Sequence, residues 1–397
     1  MPSSIAISAN PVLLISSTAA PRQPRRPIPS SLPAIWRDIQ GADNWRNLLH
    51  PILRHELLRY AQFVISSYKS FDQDPSSPRY LNSKYPMPTI LSQSGLPNAP
   101  YQVTKYLYAT PAASTRSHWI GYIAVSDDHS LSTLGRRDIL VSFRGTVTNT
   151  EWLTNFMSSL ATARLDPFNP RPDVKVESGF LTLYTSASFR ASLLTEISRI
   201  VNLYKNDDEL SITLAGHSMG SSLAVLFGYD LAELGLNRVG SGAGINRVIP
   251  VTVFSYGGPR VGNLGFKARC DELGVKVLRV VNVKDPVTKM PGLFLNENLR
   301  LPWSGGGGGD GGSCYAHVGV ELALDFFEME NYPACVHDLE AYVGRLEGSD
   351  HEMEKGGGGE NHGDFLRKEE RGFFNLIFQK FVEWAPWLQD RVRNVSA

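Results

Sequence analysis

Residues 211–224 read Ser211-Ile212-Thr213-Leu214-Ala215-Gly216-His217-Ser218-Met219-Gly220-Ser221-Ser222-Leu223-Ala224. With Leu210, the opening residues make an apolar run of strand length. From Met219 to Leu234, small and apolar residues continue at helical spacing. Between the two lies Gly-x-Ser-x-Gly. A strand that turns straight into a helix leaves no room for side chains at Gly216 and Gly220, and it places the central serine on a sharp bend. The helix then aims its first backbone N–H groups and the positive end of its dipole at the serine oxygen. The plainer reading of Ser218, a helix N-cap, is weaker in this context.

Working outward, strand patterns occupy Gln102–Tyr108, Trp119–Ser126 and Asp138–Arg144. Ile139 to Phe143 is almost continuously apolar, as expected of a strand buried on both faces. Ser186–Tyr204 has the spacing of an amphipathic helix. Ile249–Ser255 and Val275–Val283 read as strands, with a helix over Gly262–Leu273 between them. Strands alternating with helices predict an α/β fold with a mainly parallel sheet, and the serine turn makes it an α/β-hydrolase. Asn44–Tyr68 reads as one or two amphipathic helices, and residues 72–100 as an irregular surface stretch.

Three regions follow: a tail over 1–37, one hydrolase domain over 38–348, and a Gly-rich linker with an amphipathic helix over 349–397. The tail carries Arg22, Arg25, Arg26 and Arg37 with no acidic residue before Asp38, the composition of an organelle transit peptide. Chloroplast targeting is the expectation, with the cytoplasm as the alternative. The glycine runs Gly305–Gly312 and Gly356–Gly359 read as loop insertions. No strand leads into either, and no Lys-Ser/Thr follows as a phosphate loop would need.

Composition removes several function classes. The 397 residues hold 39 basic and 39 acidic side chains, so no net charge draws the chain to nucleic acid. No apolar run is long enough for a transmembrane helix, and any membrane contact is expected to be peripheral. Cys270, Cys314 and Cys335 form neither a disulfide framework nor a metal-ligand spacing and read as reduced thiols. No metal or cofactor is called for.

A serine nucleophile needs a base and an orienting carboxylate, in this fold in the chain order Ser, Asp, His. Asp230 and Asp325 lie in helical patterns, Asp271 in a connecting helix, and Asp310 among glycines. Asp285 alone follows a strong strand, Val277 to Val283, at the end where α/β sheets place their chemistry. Among later histidines, His351 and His362 sit in charged, Gly-rich sequence. His337 opens the helical pattern Asp338-Leu339-Glu340-Ala341-Tyr342-Val343, and His317 precedes a similar one. Spacing favours His337 and leaves His317 open. His217 is set aside as the base, because the turn directs its side chain away.

Together these segments resemble the class 3 lipases, and within them the plant phospholipase A1 branch. The resemblance runs from about Trp36 to Gly348. It is carried by Gly41-Ala42-Asp43-Asn44-Trp45, Phe143-Arg144-Gly145-Thr146, Ser178-Gly179-Phe180, the serine segment, Tyr256-Gly257-Gly258-Pro259-Arg260-Val261-Gly262, Asn282-Val283-Lys284-Asp285, Tyr315-Ala316-His317-Val318-Gly319 and His337-Asp338-Leu339-Glu340-Ala341-Tyr342. The resemblance implies that His337 is the base, and that the N–H groups of Met219 and Thr146 form the oxyanion hole. It also implies a lid over the stripe Trp152, Leu153, Phe156, Met157 and Leu160, whose plainer reading is a core-facing helix. Two departures stand out: Asp285-Pro286-Val287-Thr288 replaces the family's Asp-x-Val-Pro, and Glu177 stands where a histidine is common.

The implied function is release of fatty acids from membrane glycerolipids through an acyl-enzyme. A soluble esterase or thioesterase, or a silent lipase-like scaffold, are the alternatives. The tail makes its own prediction: residues 1–37 fused to a fluorescent reporter should carry it into plastids, and a purely cytosolic reporter would refute the targeting.

Overall fold

The computed structural model describes residues 32–40, 45, 48, 50–112, 114–128, 130–147, 159–207, 209–240, 246–292, 314–326 and 334–348. Residues 1–31, both glycine runs, the C-terminal helix pattern and the lid-stripe residues Trp152, Leu153, Phe156 and Met157 lie outside the described residues, whereas Leu160, expected on the same helix face, pairs with Glu177 in a short strand over Leu160–Thr162.

Among the described residues seven strands make the central sheet: β1 (Tyr101–Ala109), β2 (His118–Ser126), β3 (Arg137–Phe143), β4 (Leu210–His217), β5 (Val251–Tyr256), β6 (Lys276–Asn282) and β7 (Val320–Leu324). They lie side by side in chain order. The pairs β1–β2 and β2–β3 are antiparallel, and every pair from β3 to β7 is parallel. The parallel strands therefore all end on one edge, and the turns after them meet there.

Helices α1 (Pro51–Ser70), α2 (Ser178–Thr185), α3 (Phe189–Leu203), α4 (Met219–Glu233), α5 (Leu264–Glu272) and α6 (Leu339–Glu347) cover the sheet. Alternating strand residues feed two separate cores. Ile139, Val141 and Phe143 join Ile212, Leu214, Val253 and Val277 under α2 to α5. Leu140, Ala215, Phe254, Leu278 and Leu322 face the other way, against α1 and α6. The continuous apolar character of Ile139–Phe143 follows from having a core on each side.

Most sequence-based elements stand, with three corrections. Val320–Leu324, taken for a helical pattern around Asp325, is the edge strand β7, where Glu321 pairs with Arg279 of β6 at 2.8 Å. A short apolar run does not distinguish the two periods by itself. The helix expected over Ser186–Tyr204 begins at Phe189 and is preceded by a separate helix, α2, that the periodicity did not reveal. The helix expected from Gly262 begins at Leu264, because Gly262 and Asn263 pair with Ala316, Tyr315 and Val176 in a small second sheet. Asn263 Oδ1 then caps α5 by accepting from the Phe266 N–H at 2.9 Å.

At the opening end of the parallel strands, Asp138 is wholly buried. It accepts hydrogen bonds from the hydroxyls of Tyr60 and Tyr101, at 2.8 Å each. Ser211 and Thr213 add two more, at 2.7 and 2.6 Å. One carboxylate thus joins α1, β1, β3 and β4. Removing it leaves four buried hydroxyls short of an acceptor. Asp138→Ala should lower stability in urea unfolding by about 3 kcal/mol, while kcat of the folded fraction stays near wild type, since the network lies at the strand end opposite Ser218.

Candidate active site

Ser218 occupies the single residue between the end of β4 and the start of α4. Its φ of 56° and ψ of −125° are conformations that a residue with a side chain seldom adopts. Such a residue costs about 1–3 kcal/mol and persists where its surroundings over-determine it. The surroundings are visible here. Ser218 N–H donates to the Tyr256 carbonyl at 3.0 Å, and Ser221 N–H to the Ser218 carbonyl at 3.0 Å. The two glycines of the motif serve different neighbours. A Cβ on Gly216 would stand 2.3 Å from the Gly220 carbonyl carbon, so it keeps strand and helix together. A Cβ on Gly220 would stand 2.5 Å from the Arg144 carbonyl oxygen, so it admits the segment after β3. The Ser218 hydroxyl is buried and has no hydrogen-bond partner among the described residues.

Asp285 follows β6. Its Oδ1 accepts from Val287 N–H at 2.9 Å, and Thr288 Oγ1 donates to its backbone carbonyl at 2.8 Å. The departure Asp285-Pro286-Val287-Thr288 therefore folds as a tight turn over Val287–Lys289 that caps itself on the aspartate. Oδ2 faces the imidazole of His337, whose Nδ1 lies 2.6 Å from it. Tyr342, from α6, donates its hydroxyl to the same oxygen at 2.8 Å while accepting from Asn282 N–H at 2.9 Å. Burial first, and then the Asp285 charge, push the Tyr342 phenol well above its usual range, so it stays a donor. With Asp285 accepting, His337 Nδ1 carries the proton and Nε2 presents its lone pair.

His317 is held elsewhere. Its Nε2 donates to the Thr288 carbonyl at 2.9 Å. Burial, then the charges of Arg279 and Arg260, hold it well below the ordinary imidazole range. A neutral His317 pins the turn behind Asp285, and Asp285 faces His337.

Thr146 comes off the end of β3 and meets the first residue of α4: its Oγ1 lies 3.4 Å from Met219 Sδ. Arg144 steadies this segment. Its Nε donates to the Trp119 carbonyl and its guanidinium to the Gly145 carbonyl, both at 2.8 Å, with the guanidinium 3.9 Å from the Phe71 ring centre. The Gly145 carbonyl and the Thr146 N–H share one planar peptide unit. Fixing the carbonyl toward Arg144 turns the N–H to the opposite side. Sequence reading named Thr146 and Met219 but missed Arg144 and Tyr342, although both stand inside quoted motifs. At the departure Glu177, the carboxylate accepts from Phe180 N–H at 2.7 Å and caps α2.

A strained serine on a strand-to-helix turn, a carboxylate-bound histidine and a pinned N–H donor define a serine acyl hydrolase of the α/β-hydrolase fold. Residues 140–295 match the family described as lipase (class 3), and the chain belongs to that family, in its plant phospholipase A1 branch. It is 56% identical over 340 residues to the chloroplastic galactolipase DONGLE of Arabidopsis thaliana, covering 79% of this chain and 69% of that one. The chloroplastic phospholipase A1-Ialpha2 of the same plant is 56% identical over 347 residues, with the same two coverages of 79% and 69%. The chloroplastic/mitochondrial phospholipase A1 EG1 of Oryza sativa subsp. indica is 51% identical over 376 residues, covering 87% of this chain and 82% of that one.

Gly257 carries a prediction. Its φ is +55°, and a Cβ there would stand 3.2 Å from Asp285 Oδ2 and 3.3 Å from both His337 Nδ1 and Tyr342 Oη. Gly257→Ala should cost about 1–2 kcal/mol of stability and lower kcat by about 100-fold, measured as melting and turnover on the same preparation. Unchanged turnover would mean that the packing around these three groups tolerates displacement.

Proposed function

We propose that the chain releases fatty acids from phospholipids and galactolipids through Ser218, His337 and Asp285. The observation that carries the reading is the 2.6 Å contact between His337 and Asp285, beside a serine held in strained backbone at the start of α4. His337 Nε2 takes the proton of Ser218 Oγ as that oxygen attacks the acyl carbonyl carbon. Asp285 holds the tautomer and steadies the imidazolium. The N–H groups of Met219 and Thr146 receive the oxyanion, each worth roughly 3–4 kcal/mol of barrier. The imidazolium then protonates the departing glycerol oxygen, leaving the acyl group on Ser218. A water, deprotonated by His337, attacks the acyl-enzyme and regenerates the serine.

The phospholipase A1 and galactolipase relatives support the lipid class, and two of them are named chloroplastic and the third chloroplastic/mitochondrial; the chain is a chloroplast protein on the same footing. Among the described residues no helix is long and apolar enough to cross a membrane.

Ser218→Ala should fold normally and lose about four orders of magnitude of activity, together with labelling by a fluorophosphonate probe. Mass spectrometry of products from phosphatidylcholine, galactolipid and triacylglycerol vesicles then ranks the substrates. Near-wild-type lipid hydrolysis by Ser218→Ala sinks the mechanism, and turnover confined to dispersed short esters sinks the lipid assignment.

A further inference from the structure

His217 has partners that its place beside the serine does not announce. Its Nε2 lies 2.8 Å from the backbone carbonyl of His337, and its Nδ1 lies 2.8 Å from the Tyr68 hydroxyl. A carbonyl oxygen can only accept, so Nε2 carries the proton. In a neutral ring Nδ1 then accepts, and Tyr68 donates. The ring is neutral: burial first, then the charge that His337 carries when protonated, hold His217 well below the usual imidazole range. The imidazoles of His217 and His337 also pack against each other, with centres 4.6 Å apart.

The Tyr68 hydroxyl makes a second close approach. It lies 2.1 Å from the position a Cβ on Gly145 would take, which sets it against the segment leading to Thr146. Tyr68 belongs to α1, outside the residues 140–295 that match the family. One hydrogen-bonded line thus runs from α1 through the last residue of β4 to the backbone of the base, passing the oxyanion segment on the way.

We propose that His217 and Tyr68 are positioning residues for the reaction, His217 anchoring the His337 backbone to the serine turn and Tyr68 holding His217 in the tautomer that can do so. The inference rests on the reading of His337 as the base. Asp285 fixes the ring of His337 at Nδ1, and Asn282 Nδ2 donates to the preceding carbonyl, that of Val336, at 3.2 Å. Neither ties the base to the element that carries the nucleophile. His217 does, because it is covalently next to Ser218. This hydrogen bond helps to set the separation of Nε2 from Ser218 Oγ, and a displacement near 1 Å at such a pair costs about 100-fold in rate.

The test is steady-state hydrolysis of p-nitrophenyl butyrate by the full chain, with melting curves for each variant. His217→Leu should lower kcat about 30-fold and leave KM within about two-fold. His217→Gln, whose amide nitrogen reaches the place of Nε2, should recover kcat to within about three-fold of wild type. Tyr68→Phe should lower kcat about five-fold alone and have no effect in the His217→Leu background, because it acts through His217. A merely structural role predicts additive losses and no rescue by glutamine. Wild-type kcat in His217→Leu, additive losses in the double variant, or a loss confined to KM would each overturn the proposal. If His217→Leu does not fold, His217→Ala with and without Tyr68→Phe decides it by the same non-additivity. His337→Ala separates the two levels: activity retained there overturns the reading of the base and this inference together. An inactive His337→Ala beside a fully active His217→Leu overturns the inference alone.

Discussion

Three backbone segments meet around Ser218 at distances that admit no side chain. The end of β3, the end of β4 and the first turn of α4 come so close that Gly216 and Gly220 would each drive a Cβ into a neighbouring backbone atom, at 2.3 and 2.5 Å. Gly145 is under the same constraint, since a Cβ there would stand 2.8 Å from the His217 carbonyl and 3.1 Å from the Ser218 Cβ. This approach sets Ser218 in its positive-φ conformation, starts α4 beneath its oxygen, and lays the Thr146 peptide alongside. The packing of α4 on β4 and β5 over a continuous apolar core holds the three segments there.

The second half of the site is built on hydrogen bonds within a dry interior. Asp285 is wholly buried, and a buried carboxylate is tolerated only when its lone pairs are engaged. Val287 N–H occupies one oxygen, while His337 and Tyr342 share the other. A turn, the His337 imidazole and a helix are thereby fastened to one charge. Tyr342 and the turn hold the carboxylate in place, and the carboxylate orients the imidazole. His317, neutral and bonded to Thr288, closes this arrangement from behind. Arg144 does the comparable work on the oxyanion side, where a buried guanidinium bonded to two carbonyls and stacked on Phe71 orients a single peptide.

These two halves rest on opposite faces of the sheet. The serine helix α4 packs into the core shared with α2, α3 and α5, whereas Tyr342 and α6 belong to the core shared with α1. Only the ends of the parallel strands bring the halves together, which is why the site stands at that edge. His217 bridges them in the same place, with its backbone in β4 and its ring between Tyr68 and His337.

Local chemistry along the chain was enough for much of this. Gly-x-Ser-x-Gly between an apolar strand and a helix located the serine, because steric exclusion at two glycines is a property of a few consecutive residues. Asp285 stood out for the same reason, as a carboxylate closing a strong apolar strand, and strand–helix alternation carried the α/β class. What stayed illegible depends on contacts between residues far apart in the chain. Spacing favoured His337 and left His317 open, and the pairing of one with Asp285 and the other with Thr288 is decided by which loops β6, β7 and α6 bring together. Val320–Leu324 could satisfy either a helical or an extended pattern until β6 offered it an edge to pair with. Arg144, Tyr342, Tyr68 and His217 each acquire their role from a partner that no local pattern names. Sequence-local sterics determined where Ser218 sits on its turn. Only tertiary packing, which joins residues 68, 217 and 337 in one line of hydrogen bonds, decided what holds His337.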